Sequence, residues 1–139
     1  MKKEDCIFCK LANGEIPTNA VYENEEFKVI LDLAPASKGH CLVIPKNHYE
    51  NALTADEEVP GKAMMLAVKV GKAMKEALGC DGVNILQNNG EAAGQTVFHL
   101  HIHVIPRWKG DGVGINWENG SDTPEGFAET AKLIGEHII

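Results

Sequence analysis

From Val97 to Ile105 the chain alternates, with Phe98, Leu100, Ile102 and Val104 on one side and His99, His101 and His103 on the other. That is the pattern of a half-buried β-strand, which is expected to span this stretch. Shorter apolar runs predict four more strands at 21–23, 27–31, 40–45 and 82–87, with Asn24-Glu25-Glu26 turning between the first two. Residues Cys6 to Asn13 read as a short helix or turn closed by Gly14. Thr54-Ala-Asp-Glu57 has the form of a capping box. Because Pro60 would clash inside a continuing helix, a short helix followed by a longer one from about Pro60 to Leu78 is expected. Met64, Ala67, Val68, Gly71, Met74 and Leu78 form one apolar stripe at helical spacing, and Gly79 caps its end. The stripe's methionines point to core packing or a subunit contact. Beyond the alternating stretch, residues 107–120 are rich in glycine, include Trp108 and Trp117, and read as a loop. Asp122-Thr123-Pro124-Glu125 then starts a terminal helix that runs to about His137. Together these elements predict an α+β fold: a five-stranded antiparallel sheet with helices on one face.

Composition narrows the picture without changing it. At 139 residues the chain has room for one core and not two, so a single domain over 1–139 is expected. Net charge is −7, from 13 basic and 20 acidic residues, which argues against long nucleic acid as a partner but not against a small nucleotide. No signal-like start and no long apolar run are visible, so the expectation is a soluble cytoplasmic protein that does not span a membrane. Cys6 and Cys9 form a C-x-x-C pair, which in an intracellular protein points to a metal or redox site. Only a few residues precede the pair, too few for the strand a thioredoxin-like motif needs, and zinc is the better reading. Cys41 and Cys80 read as small structural thiols.

The row of histidines carries the chemistry. Imidazoles two residues apart on a strand are spaced by ~6.6 Å, so the outer two sit ~13 Å apart at the backbone and must serve different roles. His-x-His on a strand can present two nitrogens to zinc. Alternatively, the central imidazole can act as a nucleophile. The preceding loop, Gly90 to Thr96, is built of small residues that can turn backbone N–H groups and a Thr hydroxyl toward an anion. Anion donors beside imidazoles favour phosphorus as the electrophile.

HLHIHVI, preceded by GQTV, resembles the motif of the histidine-triad (HIT) family, and KGHCLVIPKNH resembles a second block of the same family. The resemblance covers roughly Cys6 to Arg107, with 108–139 an extension beyond the matched motifs. It implies a nucleotide hydrolase in which His101 attacks the α-phosphorus of a nucleotide and carries the nucleotidyl group. His40, His103, Asn88 and the Gly94–Thr96 backbone would meet the phosphate, and Gln95 and Thr96 the leaving group. Asp32 would accept hydrogen bonds from the ribose. Ile7, Phe8, Leu11, Ile16, Ile30 and Leu33 would form the slot for the base, although Ile16 and Ile30 serve equally well as ordinary core. The Cys pair is similar to that of many bacterial members and of galactose-1-phosphate uridylyltransferases, which implies structural zinc on Cys6, Cys9, His48 and His99. The Hint branch of the family is the nearest match, implying a homodimeric purine nucleoside phosphoramidase that binds AMP or GMP. A dinucleoside polyphosphate hydrolase is the enzymatic alternative. A nucleotide- or zinc-binding interaction protein with weak catalysis is the other.

Overall fold

The computed structural model describes residues 1–138. In chain order the elements are α1 (Ile7–Ala12), β1 (Ala20–Glu23), β2 (Phe27–Leu31), β3 (Cys41–Pro45), α2 (Glu58–Leu78), β4 (Gly82–Leu86), β5 (Ile102–Arg107) and α3 (Pro124–Gly135). A short 3-10 turn, Glu91–Ala93, lies between β4 and β5. The expected five-stranded antiparallel sheet is present, in the order β1-β2-β3-β5-β4.

Both faces of the central strand are buried, and its alternation divides the core in two. Cys41 and Val43 point to the face covered by α2, joining Val29, Ala63, Ala67, Met74, Ile102 and Val104. Leu42 and Ile44 point to the opposite face, where they meet Ile30 and Ala12 with Phe8 and Leu11 of α1 packed against them. The long helix thus takes one face as expected, and the short α1 shares the other with the histidines.

Three local expectations are corrected. First, β5 begins at Ile102 and not at Val97, with bends at 97–99 and irregular backbone at 100–101. The ladder with β3 stops at the Val43–Ile102 pair, because Pro45 has no N–H to extend it. The freed groups find other partners: the Leu100 N–H donates to Tyr49 O at 2.7 Å, and Pro45 O accepts from the His99 ring at 2.9 Å. Inward and outward directions survive this break, since Leu100 is buried with Ile102 and Val104 in the α2 core.

Second, α2 is one continuous helix with Pro60 as its third residue. The first-turn N–H groups have no intrahelical acceptor, so proline costs little there. The capping box does not form: no side chain caps at Glu57, and the Thr54 hydroxyl turns back to Asn51. Third, the buried stripe of α2 is Val59, Ala63, Ala67, Val70, Gly71 and Met74, whereas Met64, Val68 and Leu78 are partly exposed. Small residues at 63, 67 and 71 recur every fourth position, and that is the face a helix turns inward to approach a sheet closely. Gly79 ends the helix in the left-handed region at φ 64°, as expected.

Ile44 is fully buried between the sheet and α1. Ile44→Ala is expected to lower the unfolding free energy by about 2–5 kcal/mol, while Lys72→Ala on the exposed side of α2 changes it by less than about 0.5 kcal/mol. Urea denaturation checks both, through a shifted midpoint at constant slope for the first and none for the second.

Candidate functional site

The break at Pro45 gathers the histidines. His99 is completely buried, and its ring bonds in two directions. Nε2–H donates to Pro45 O at 2.9 Å, leaving Nδ1 with a free lone pair. That Nδ1 lies 3.3 Å from Cys6 Sγ and 3.5 Å from Cys9 Sγ, and Cys9 Sγ lies 3.5 Å from His48 Nδ1. All four ligand atoms fall within 4.8 Å of one another. In a tetrahedral zinc site with ordinary bond lengths the sulfur–nitrogen edges measure about 3.6 Å, so this cluster already has the dimensions of a metal site. The carbonyl behind His99 fixes its tautomer, as carbonyls that accept from the far nitrogen of metal-bound imidazoles do. Desolvation by burial, foremost among the causes, pushes the Cys9 thiol up and brings His99 down to about 4. A divalent cation would supply the charge that lets both thiols ionise there.

The carbonyl of His99 sets the next ring. It accepts from His101 Nδ1–H at 2.7 Å, so His101 presents Nε2 as a bare acceptor. Phe8 of α1 packs edge-on against this ring at 4.9 Å, and the His103 ring is also 4.9 Å from it. A second set of bonds orders His103. The Ala36 N–H donates to His40 Nδ1 at 2.9 Å, which makes His40 Nε2–H the donor to His103 Nδ1, also at 2.9 Å. His103 is thereby left with Nε2–H as its outward donor. Asp32 Oδ2 stands 3.6 Å from His40 Nε2, and Asp32 Oδ1 accepts from the Ala34 N–H at 2.9 Å. Burial is the first cause that lowers His40, His101 and His103, the last to about 4, so all three are neutral near pH ~7. A neutral acceptor next to a neutral N–H donor can attack an electrophile and steady the charge that develops on it.

A HIT domain profile matches residues 13–110. The chain belongs to the HIT family. Among HIT relatives, the adenosine 5'-monophosphoramidase of Schizosaccharomyces pombe is 40% identical over 134 residues, covering 96% of this chain and 95% of the relative. A solved protein of Streptococcus mutans superposes with a TM-score of 0.94 at 38% identity, covering 99% of this chain and 88% of that one. A zinc-bound histidine-triad protein of Mycobacterium smegmatis gives a TM-score of 0.76 at 36% identity, covering 96% of this chain and 98% of that one. The matched HIT segment contains His48 and His99 but begins after Cys6 and Cys9, so the two thiols of this four-residue cluster lie outside it.

The fold brings His40, His101, His103, Asp32 and Phe8 together, and separately Cys6, Cys9, His48 and His99. The loop before β5 departs from expectation. Gln95 is 2% exposed, and its side chain is committed to backbone groups. Its amide donates to Glu50 O and Val97 O, and its Oε1 accepts from the Gly90 N–H. The N–H groups of Gly94 and Gln95 are likewise turned inward, to Glu91 O and Gly90 O. Within this loop, Gly94 to Thr96, the Thr96 N–H makes no backbone hydrogen bond among the described residues. Gly94 sits at φ 98°, and a Cβ there would come 3.5 Å from Asn88 Nδ2, so the turn holds Asn88 close. Of the apolar group, Ile30 is core, Ile16, Phe8 and Leu11 are half-buried, and Ile7 and Leu33 are exposed.

A neutral imidazole nucleophile calls for a backbone carbonyl on its second nitrogen, and for His101 that carbonyl is the one of His99; the Pro45 carbonyl and the Ala36 N–H, which set the tautomers of His99 and His40, were not foreseen. The one signal available was Pro45 at the end of an apolar strand, which marks a carbonyl next to a missing donor.

Because the folded state holds His40, His101 and His103 below their ordinary value, the unfolded chain binds more protons between pH ~6.5 and ~4. Stability is therefore expected to be full near neutrality and to fall as pH drops through that window. Urea titrations across the range check this, and His103→Gln, which removes one such group, is expected to flatten the slope.

Proposed function

We propose that this protein hydrolyses nucleoside phosphoramidates and related nucleotidyl conjugates at the α-phosphate through a covalent nucleotidyl-histidine. The observation that carries this reading is the His101 Nδ1–H bond to the His99 carbonyl at 2.7 Å, which leaves Nε2 unprotonated and free. In the first step Nε2 attacks phosphorus, the Nε2–P bond forms and the bond to the leaving nitrogen or oxygen breaks. The leaving group carries away the bonding pair and takes up a proton. His103 Nε2–H, aligned by His40, donates to a non-bridging oxygen, and Asn88 and the Thr96 N–H stand as further donors. As P–N bonding replaces the Nε2 lone pair, His101 becomes cationic, and its bond to the carbonyl strengthens. Water then attacks phosphorus, the P–Nε2 bond breaks and the nucleoside monophosphate leaves with neutral His101 restored.

The relative named adenosine 5'-monophosphoramidase supports a purine nucleotide such as AMP or GMP as the bound moiety. The exposed apolar side chains of Ile7 and Leu33, with Phe8 beside His101, offer surface for the base, and Asp32 offers a carboxylate for ribose hydroxyls. Asp32 also faces His40, so ribose binding and the His40–His103 alignment are coupled through one carboxylate. Zinc on Cys6, Cys9, His48 and His99 would serve as a structural clamp between the N-terminus, the turn after β3 and the approach to β5, and would supply charge neutralisation for the two thiolates.

His101→Ala is expected to cut turnover of an adenosine phosphoramidate by roughly four orders of magnitude or more, while AMP affinity falls by no more than about fivefold. Turnover and calorimetric binding check this on one preparation. Unimpaired turnover would end the nucleophile assignment. Preferential cleavage of a diadenosine polyphosphate over the phosphoramidate would favour the dinucleotide reading, and AMP binding without turnover of either would favour a binding protein.

Cys9→Ser is expected to reduce bound zinc and lower the melting temperature by roughly 5–15 °C, with turnover per folded molecule largely kept. Metal analysis, melting curves and active-site titration check it together. Activity lost with the metal at unchanged melting would instead make the ion catalytic.

A further inference from the structure

The groove of about 810 Å³ lies away from the histidines, between α2 and the β1–β2 side of the sheet. Its walls are Val21, Tyr22, Leu31, Met65, Ala73 and Leu78. Met65 is 67% exposed and Val21 51%, so this is apolar surface left open on the α2 face of the sheet. At its rim stand Lys38, Lys62, Lys69 and Glu26. Lys62 pairs with Glu26 at 3.0 Å, whereas Lys38 and Lys69 make no ion pair among the described residues. In a chain of net charge −7, this is a locally basic, apolar cleft.

The same chain carries an unpartnered counterpart. Helix α3 has 12 residues and none of them is buried. Phe127, Ala131 and Ile134 recur at i, i+4 and i+7 as one apolar stripe, with Phe127 61% and Ile134 62% exposed. Isolated helices of this length are marginal in water, and their stability comes from packing an amphipathic face. Glu125 and Glu129 lie on the outer side, and Lys132 is offset by Glu136 at 4.0 Å. The helix is acidic where the groove is basic. With the glutamates turned away from the stripe, this charge acts as long-range steering and not as a set of ion pairs. Its length, roughly 18 Å, fits along the roughly 24 Å of α2 between Lys62 and Leu78 that line the groove.

The placement of the helix argues for another copy as the partner, because none of its residues is buried against its own chain. After β5, Arg107 bonds Asn84 of β4 at 2.7 Å and Asp111 at 2.8 Å, and the Lys109 N–H bonds Asp81 just before β4 at 2.8 Å. These contacts lead the chain off at the β4 edge, four strand spacings or roughly 19 Å from β1 at the opposite edge. We infer that α3 of one copy seats its Phe127–Ala131–Ile134 stripe in the α2/β1–β2 groove of a second copy, reciprocally, as an amphipathic helix in a hydrophobic groove. A two-fold dimer repeats the contact twice and leaves no apolar stripe open.

The test uses isotopically light and heavy full-length protein, unfolded together, refolded and treated with a lysine-reactive cross-linker. Lys132 is expected to link to Lys38 or Lys69, with about half of the links joining a light to a heavy chain, as random reciprocal pairing requires. Phe127→Asp with Ile134→Asp on the helix, and separately Met65→Asp with Ala73→Asp in the groove, should each reduce those links at least tenfold. All four positions are exposed, and unchanged circular dichroism outside α3 would show that each variant folds. Links confined to light–light and heavy–heavy pairs would mean the helix folds onto its own chain and would overturn the inference. So would the absence of these links in wild type, or links that survive the groove variant.

Discussion

His99 is bound on three sides at once, and the two halves of the site depend on it. Its ring Nε2–H is held by Pro45 O, its Nδ1 faces the two thiols, and its carbonyl fixes the tautomer of His101. None of these partners can be exchanged for water, because the ring is entirely buried. An imidazole has two nitrogens with opposite roles when neutral, so committing one to a backbone carbonyl decides what the other can do. Here that logic runs twice in succession, first toward the two thiols and then, through the His99 carbonyl, toward the open Nε2 of His101.

Burial supports the same outcome electrostatically. The rings of His40, His101 and His103 are kept neutral chiefly by desolvation, against the pull of Asp32 toward the charged form. Were desolvation weaker, Asp32 would favour protonation and the acceptor on His101 would be lost. The Asp32 carboxylate is partly occupied by the Ala34 N–H, which tempers that pull. Neutrality and donor order are thus set by the protein before any ligand arrives, which is the preorganisation that acceptor–donor chemistry on an anion requires.

The sheet makes this possible by dividing its labour between faces. Small residues of α2 pack close on one face, and that frees the other for α1 and the histidines. Phe8 belongs to both sides of this arrangement, packing on the α1 core and bracing His101. Gln95 orders the loop before β5, where its amide bonds the Gly90 N–H and the carbonyls of Glu50 and Val97. The amide of a glutamine that the motif marks as a site residue is thus bonded to backbone at both its oxygen and its nitrogen.

Alternation from Phe98 to Val104 was enough by itself to place the three histidines opposite the apolar face, since side-chain direction on an extended chain has a period of two. The five strands, the long helix with Gly79 at its end and the N-capped terminal helix were legible for the same reason: periodicity and capping are local properties. The cysteine pair with His48 and His99 was nameable by resemblance, but its convergence needed three distant parts of the chain to meet. Where β5 begins depended on Pro45 across the sheet, and the rotation of the α2 stripe depended on which residues the sheet could accept at close range. The tautomers of His99, His101 and His103 depended on the carbonyls of Pro45 and His99 and, by way of His40, on the Ala36 N–H. Backbone polar groups are the same in every residue but proline, so apart from Pro45 no pattern of side chains reveals which of them will be left unpaired beside a histidine. Only the tertiary structure decides that, by bringing a strand end with no donor against a ring that has one.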